Sequence, residues 1–181
     1  MVDAWWQNVR RSLLKDLPTL KKKGRQLKRV FKSLFTIPDR LQIGALCYRW
    51  MDDELQVLLL TTRDTRRWIL PKGWPMMKKK GHRTALIEAF EEAGVIGRVT
   101  DKQPFDSFQS HKGFGGGLKV DTSVLVYVIE AVEMTENFPE AGEREIRWLS
   151  VGEALDLIEE DAAKPILSRF SEEMQAQRAS A

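Results

Sequence analysis

The sequence predicts an α/β fold behind a basic helical arm, and three observations carry that reading. Apolar runs of strand length begin at Leu41, segments of helical periodicity alternate with them, and positive charge is concentrated in the first 36 residues. Val57 to Leu60 is apolar at every position, which suits a sheet covered on both faces.

In the arm, Leu13, Leu14, Leu17 and Leu20 fall near helical spacing, as do Leu27, Val30, Phe31, Leu34 and Phe35, with lysines and arginines mostly between them. Two short amphipathic helices are expected. Pro18 suits a first helical turn and Gly24 weakens the middle of the second helix. Ile37, Pro38 and Asp39 read as a linker, which divides the chain into an arm over 1–38 and a domain over 39–181.

Strands are expected over Leu41 to Trp50 and Leu55 to Thr62 around a turn, with a short third strand over Trp68 to Leu70. Pro71, Lys72 and Gly73 open a loop. His82 to Ala93 reads as a helix whose apolar stripe is Ala85, Leu86, Ala89, Phe90 and Ala93. Further strands are expected near Val95 to Val99, Phe105 to Gln109, Val124 to Ile129 and Ile146 to Leu149. A glycine loop holds Gly113, Gly115, Gly116 and Gly117, and closing helices are expected over Val151 to Glu159 and Ala162 to Met174.

The 181 residues, 43% hydrophobic and 30% charged, are those of a folded globular protein and not of a disordered one. The net charge of +3 hides an asymmetry, because residues 1 to 36 hold ten lysines and arginines against Asp3 and Asp16. The arm is therefore +8 and the remainder −5, so the basic balance belongs to the arm. No run approaches the roughly 18 apolar residues of a membrane span. Arg10 and Arg11 resemble a twin-arginine signal, but Asp16, Pro18 and a lysine cluster follow where an apolar segment would be needed. The cytoplasm is the expected location. Cys47, the single cysteine, sits in an apolar run and is expected to be a buried structural thiol.

Glu88, Glu91 and Glu92 are spaced three and four apart on the predicted helix, which brings three carboxylates within reach of one another. On a solvated helix face that arrangement costs a few tenths of a kcal/mol per pair. Hard cations such as Mg²⁺ would convert the repulsion into oxygen coordination.

The setting of these glutamates resembles the Nudix hydrolases. Their motif is Gly, five residues, Glu, seven residues, Arg, Glu, an aliphatic residue, one residue, Glu, Glu, one residue, Gly and an aliphatic residue. With Gly94 fixing the register, Gly73, Glu88, Glu91, Glu92 and Val95 all match, and the likeness spans roughly Leu41 to Phe170. Lys79 stands where the motif has its first glutamate, and Ile87 where it has arginine. The two departures are expected to be linked, an ion pair having been replaced on both sides.

The resemblance implies an α/β/α sandwich around a mixed sheet. It also implies hydrolysis of a diphosphate bond with Mg²⁺ or Mn²⁺ held by Glu88, Glu91, Glu92 and the carbonyl of Gly73. The same three glutamates are the catalytic candidates. A downstream glutamate often assists in the family, with Glu143 and Glu145 as candidates here beside their plain reading as surface charges.

The run from Arg63 to Trp68, followed by Leu70 to Gly73, also looks like the branch acting on diphosphoinositol and diadenosine polyphosphates. Arg66, Arg67 and Lys72 are then the substrate-binding candidates, since guanidinium forks pair well with phosphate oxygens. Lys78, Lys79, Lys80, His82 and Arg83 lie beside them, and solvated loop charges are the plainer reading of about half of this set. His82 and His111 have no Cys or His partner at zinc spacing.

The residues leave two functions open. One is a metal-dependent hydrolase cleaving the diphosphate of a nucleoside diphosphate-linked or diphosphoinositol-type substrate. The other is a weakened Nudix-fold domain that binds a phosphate-rich ligand or partner, which Lys79 and Ile87 favour. The arm, with Trp5 and Trp6, suits an anionic membrane surface or packing onto the domain. No groove-reading motif is present, so nucleic acid is not expected as a partner.

Overall fold

The computed structural model of the chain describes residues 40–114 and 118–180. The expected arm helices lie outside the described residues, as does part of the glycine loop. The strands are β1 (Arg40–Met51), β2 (Glu54–Thr61), β3 (Trp68–Ile69), β4 (Lys72–Gly73), β5 (Val95–Val99), β6 (Asp106–Phe114), β7 (Leu118–Met134) and β8 (Ile146–Ser150). The helices are α1 (Gly81–Ala93), α2 (Val151–Leu157) and α3 (Lys164–Ala179), with a 3₁₀ turn at Asp161–Ala163 before α3.

The sheet is mixed. β1 and β7 run parallel at its centre from Arg40↔Thr122 to Tyr48↔Glu130, and every other pairing is antiparallel. The path is β3-β2-β1-β7-β5, with β4 on β1, β6 on β7 and β8 on β2.

Side chains alternate across a strand, so a continuously apolar run must be covered on both sides. Leu46, Tyr48, Val57, Leu59, Val124, Val126 and Val128 pack under α2 and α3 with Ile158, Ile166, Leu167 and Phe170. Ile43, Ala45, Cys47, Leu58, Leu60, Tyr127 and Ile129 pack under α1. That is the α/β/α sandwich. The α1 stripe is made of Ala85, Ala89 and Ala93, none with any exposed surface, so the helix backbone lies close to the sheet. Cys47 is fully buried, and burial pushes its thiol up to about 12.

Two expectations are corrected. Lys72 and Gly73 are strand β4 and not the opening of a loop, because Ile43↔Gly73 and Gly44↔Lys72 pair them to β1. The glycine segment is narrower than expected, since β6 continues through His111 to Phe114 and pairs with β7 as far as Phe114↔Leu118. Apolar alternation fades over those residues while backbone pairing persists, and periodicity reports only the former.

Candidate active site

The site is assembled where β4 meets α1. Pairing with β1 holds Gly73 in place, and α1 turns one face of Glu88 and Glu92 toward it; the two residues are 9% and 6% exposed. A Cβ on Gly73 would fall inside the Glu88 carboxylate. The motif glycine at this end is therefore a steric requirement. At the other end, Gly94 has φ 67 and closes α1 with its N–H on Phe90 O at 2.9 Å. A left-handed cap of this kind favours glycine. A Cβ there would also strike the carbonyl of Thr135.

Both oxygens of Glu92 are engaged. Lys72 donates its backbone N–H to Oε2 at 2.8 Å, and Arg144 Nη2 lies 2.5 Å from Oε1. Arg144 also donates from Nε to Glu140 Oε2 at 2.8 Å and from Nη1 to the Thr61 carbonyl at 3.1 Å. Glu140 Oε1 takes Arg63 at 2.8 Å. Beside this network, Lys72 Nζ pairs with Glu160 Oε2 at 3.0 Å, while Ser110 donates to Glu160 Oε1 at 2.7 Å.

The electrostatic balance is uneven. Burial and the neighbouring Glu92, Glu91 and Glu140 push the Glu88 carboxyl up to about 8, with Arg144 opposing. Burial also raises Glu92, while Arg144 and the Lys72 N–H pull it back. Glu88 thus lies among three carboxylates with one nearby guanidinium, an excess of negative charge that an added cation would relieve. The donors are all oxygen, the chemistry of hard divalent ions. As the side chains stand, no group of three or more His, Cys, Asp or Glu among the described residues converges on one point suited to a metal ion.

The structure thus brings together Gly73, Glu88, Glu92 and the Lys72 backbone, with Glu91 close enough to act on Glu88. The Lys72 ammonium is held in its ion pair with Glu160, with only 9% of its side chain exposed. Arg66 and Arg67 are exposed on the β2–β3 loop; Arg66, at φ 55, donates to Glu143 O at 3.2 Å, and Arg67 Nε to Thr65 at 3.1 Å.

Lys79 is exposed and Ile87 half-buried, so position 79 is not one half of a buried pair as expected. His82 is buried with its ring edge-on to Tyr127, centroids 6.5 Å apart. Of the downstream glutamates, Glu143 pairs with Arg63 and Glu145 with Arg147. It is Glu140 that joins the network of the site, through Arg144. Glu140, Arg144 and Glu160 were not singled out from sequence, because they sit on loops with no fixed spacing to the helix.

With this geometry in place, the comparisons with known proteins are specific. The NUDIX domain family matches residues 40–170, more than half of the chain. The chain belongs to the Nudix hydrolase family. It is 29% identical over 151 residues to "Nudix hydrolase 13, mitochondrial" of Arabidopsis thaliana, covering 72% of this chain and 73% of that protein. It is 24% identical over 136 residues to human diphosphoinositol polyphosphate phosphohydrolase 3-beta, covering 72% and 75%. Among solved structures, the Ap4A hydrolase of C. elegans superposes with a TM-score of 0.58 at 17% identity, over 75% of this chain and 98% of that one. That likeness is one of fold.

Proposed function

We propose that the chain is a metal-dependent hydrolase that cleaves a diphosphate bond in a phosphate-rich substrate, either nucleoside diphosphate-linked or of diphosphoinositol type. The observation that carries this reading is Glu88, packed against Gly73 and raised to about 8 by burial first and then by three neighbouring carboxylates. Such clustering is costly unless a cation completes it.

Glu88, Glu91, Glu92 and the Gly73 carbonyl would hold Mg²⁺ or Mn²⁺. Bound there, the ion would supply charge neutralisation at the phosphates and lower the pKa of water. The chain's own part is positional: α1 carries the three glutamates, β4 sets Gly73 against Glu88, and the Lys72 N–H fixes Glu92. Arg66 and Arg67, exposed on the adjoining loop, offer guanidinium forks to further phosphates. Lys72 contributes through Glu160 and not as an unpaired charge.

The test is a phosphate-release screen of nucleoside triphosphates, nucleotide sugars, dinucleoside polyphosphates and diphosphoinositols with Mg²⁺ and Mn²⁺. Turnover of a diphosphate-containing member that vanishes with chelator is expected. Binding without turnover across the whole panel would favour the second reading, a phosphate-binding Nudix-fold domain. Lys79, Ile87 and the unconverged carboxylates are the observations on its side. The basic arm is proposed to bind anionic surfaces, which salt-sensitive sedimentation with phosphatidylserine vesicles would test. Binding that is indifferent to salt would count against it.

A further inference from the structure

Position 87, where the family motif has arginine, is Ile87, yet a guanidinium reaches the site from fifty residues downstream. We propose that Arg144 is a positioning residue for the carboxylate site, supplying from the β7–β8 loop the guanidinium that the motif carries on the helix.

Its three donor atoms go to three different acceptors, Glu92 Oε1, Glu140 Oε2 and the Thr61 carbonyl. Only 7% of its side chain is exposed, and 8% of that of Glu92. The anchorage is firm at both ends of the segment. Next to Arg144, Glu145 and Thr61 are joined twice, by a backbone bond from Thr61 N–H to Glu145 O at 2.9 Å and by Glu145 N–H donating to the Thr61 side-chain Oγ1 at 3.0 Å. Four residues before it, the Glu140 N–H binds Glu91 O at the end of α1 at 3.1 Å. Arg144 therefore sits in a frame tied to β2 on one side and to the glutamate-bearing helix on the other.

Glu92 is fixed at each oxygen by a donor from a different element, the Lys72 N–H of β4 and the Arg144 fork. A planar guanidinium defines direction as well as charge, which a lysine does not. Its positive charge opposes a metal ion, but Glu88, Glu91, Glu92 and Glu140 outnumber it. The geometric effect dominates: without Arg144, Glu92 Oε1 loses its donor and the carboxylate is held at Oε2 alone, by the Lys72 N–H.

This inference rests on the metal-site reading above, and its test separates the two. Mn²⁺ is titrated into the full-length protein and followed by paramagnetic resonance, with no substrate present, for wild type, Arg144→Met and Arg144→Lys. Folding is checked by thermal melting. We expect Arg144→Met to weaken Mn²⁺ binding at least tenfold and Arg144→Lys to fall between it and wild type, since the charge returns without the fork. A folded Arg144→Met that binds Mn²⁺ as tightly as wild type, or more tightly, overturns the proposal while leaving the metal site standing. A wild type that binds no Mn²⁺ overturns both. If Arg144→Met does not fold, Arg144→Lys and Glu140→Gln carry the comparison, and unchanged Mn²⁺ affinity in both refutes the positioning role.

Discussion

The carboxylate of Glu88 packs directly on the backbone of Gly73, in space that any side chain at position 73 would fill. A β-carbon there forces Glu88 to move or β4 to separate from β1. Gly73→Ala is expected to destabilise the protein by about 1 to 3 kcal/mol, the usual cost of overpacking, and to lower turnover by displacing Glu88. Urea denaturation and the phosphate-release assay measure the two effects. Wild-type values in both would show that the contact has no importance.

Raising Glu88 to about 8 has a consequence for stability. A carboxyl whose folded-state value lies above its unfolded value of 4.5 favours the native state most at low pH. That contribution is lost as pH rises through the folded value. In chelator, the melting temperature of wild type relative to Glu88→Gln should therefore decline between about pH 4.5 and 8 and then level off. Parallel pH profiles for the two proteins would contradict the raised value.

Glu91→Gln and Glu92→Gln should each lower turnover at least about a hundredfold at saturating metal, because the charge stabilisation an ion supplies is worth several kcal/mol. Circular dichroism should show both folded. Full activity in either would remove that residue from the ligand set.

The Lys72–Glu160 pair, with side chains 9% and 10% exposed, binds β4 to the segment before α3. Breaking a buried pair costs roughly 3 to 5 kcal/mol. Glu160→Gln should sit at the lower end, since the amide oxygen still accepts from Lys72. A shift in the denaturation midpoint reports it, and an unchanged midpoint would make the pair energetically idle.

Lys79 is exposed just before α1, a helix with no acidic residue in its first turn. Lys79→Glu exchanges an unfavourable charge at the positive end of the helix dipole for a favourable one. A gain of about 0.3 to 1 kcal/mol is expected. With position 79 outside the core, Lys79→Glu and Ile87→Arg should add in stability, as separated sites do. A double-mutant cycle in denaturant decides this, and coupling above about 0.5 kcal/mol would restore the linked-pair idea.

Where periodicity and motif spacing carry the information, the sequence was sufficient. Continuously apolar runs over Val57 to Leu60 and Val124 to Ile129 predicted strands covered on both faces, because side chains alternate across a strand and each run supplies apolar groups to both sides. The run from Gly73 to Val95 located the helix carboxylates, because helical geometry converts spacing into a shared face. Only the tertiary structure decided what those carboxylates meet. Arg144 reaches Glu92, the Glu140 N–H binds the Glu91 carbonyl, and Glu160 takes the ammonium of Lys72, all across separations of about fifty to ninety residues. Loop residues carry no period, so their partners are set by where strand pairing places the loops: β2, β4 and the end of α1 fix the frame into which residues 140 to 145 fold.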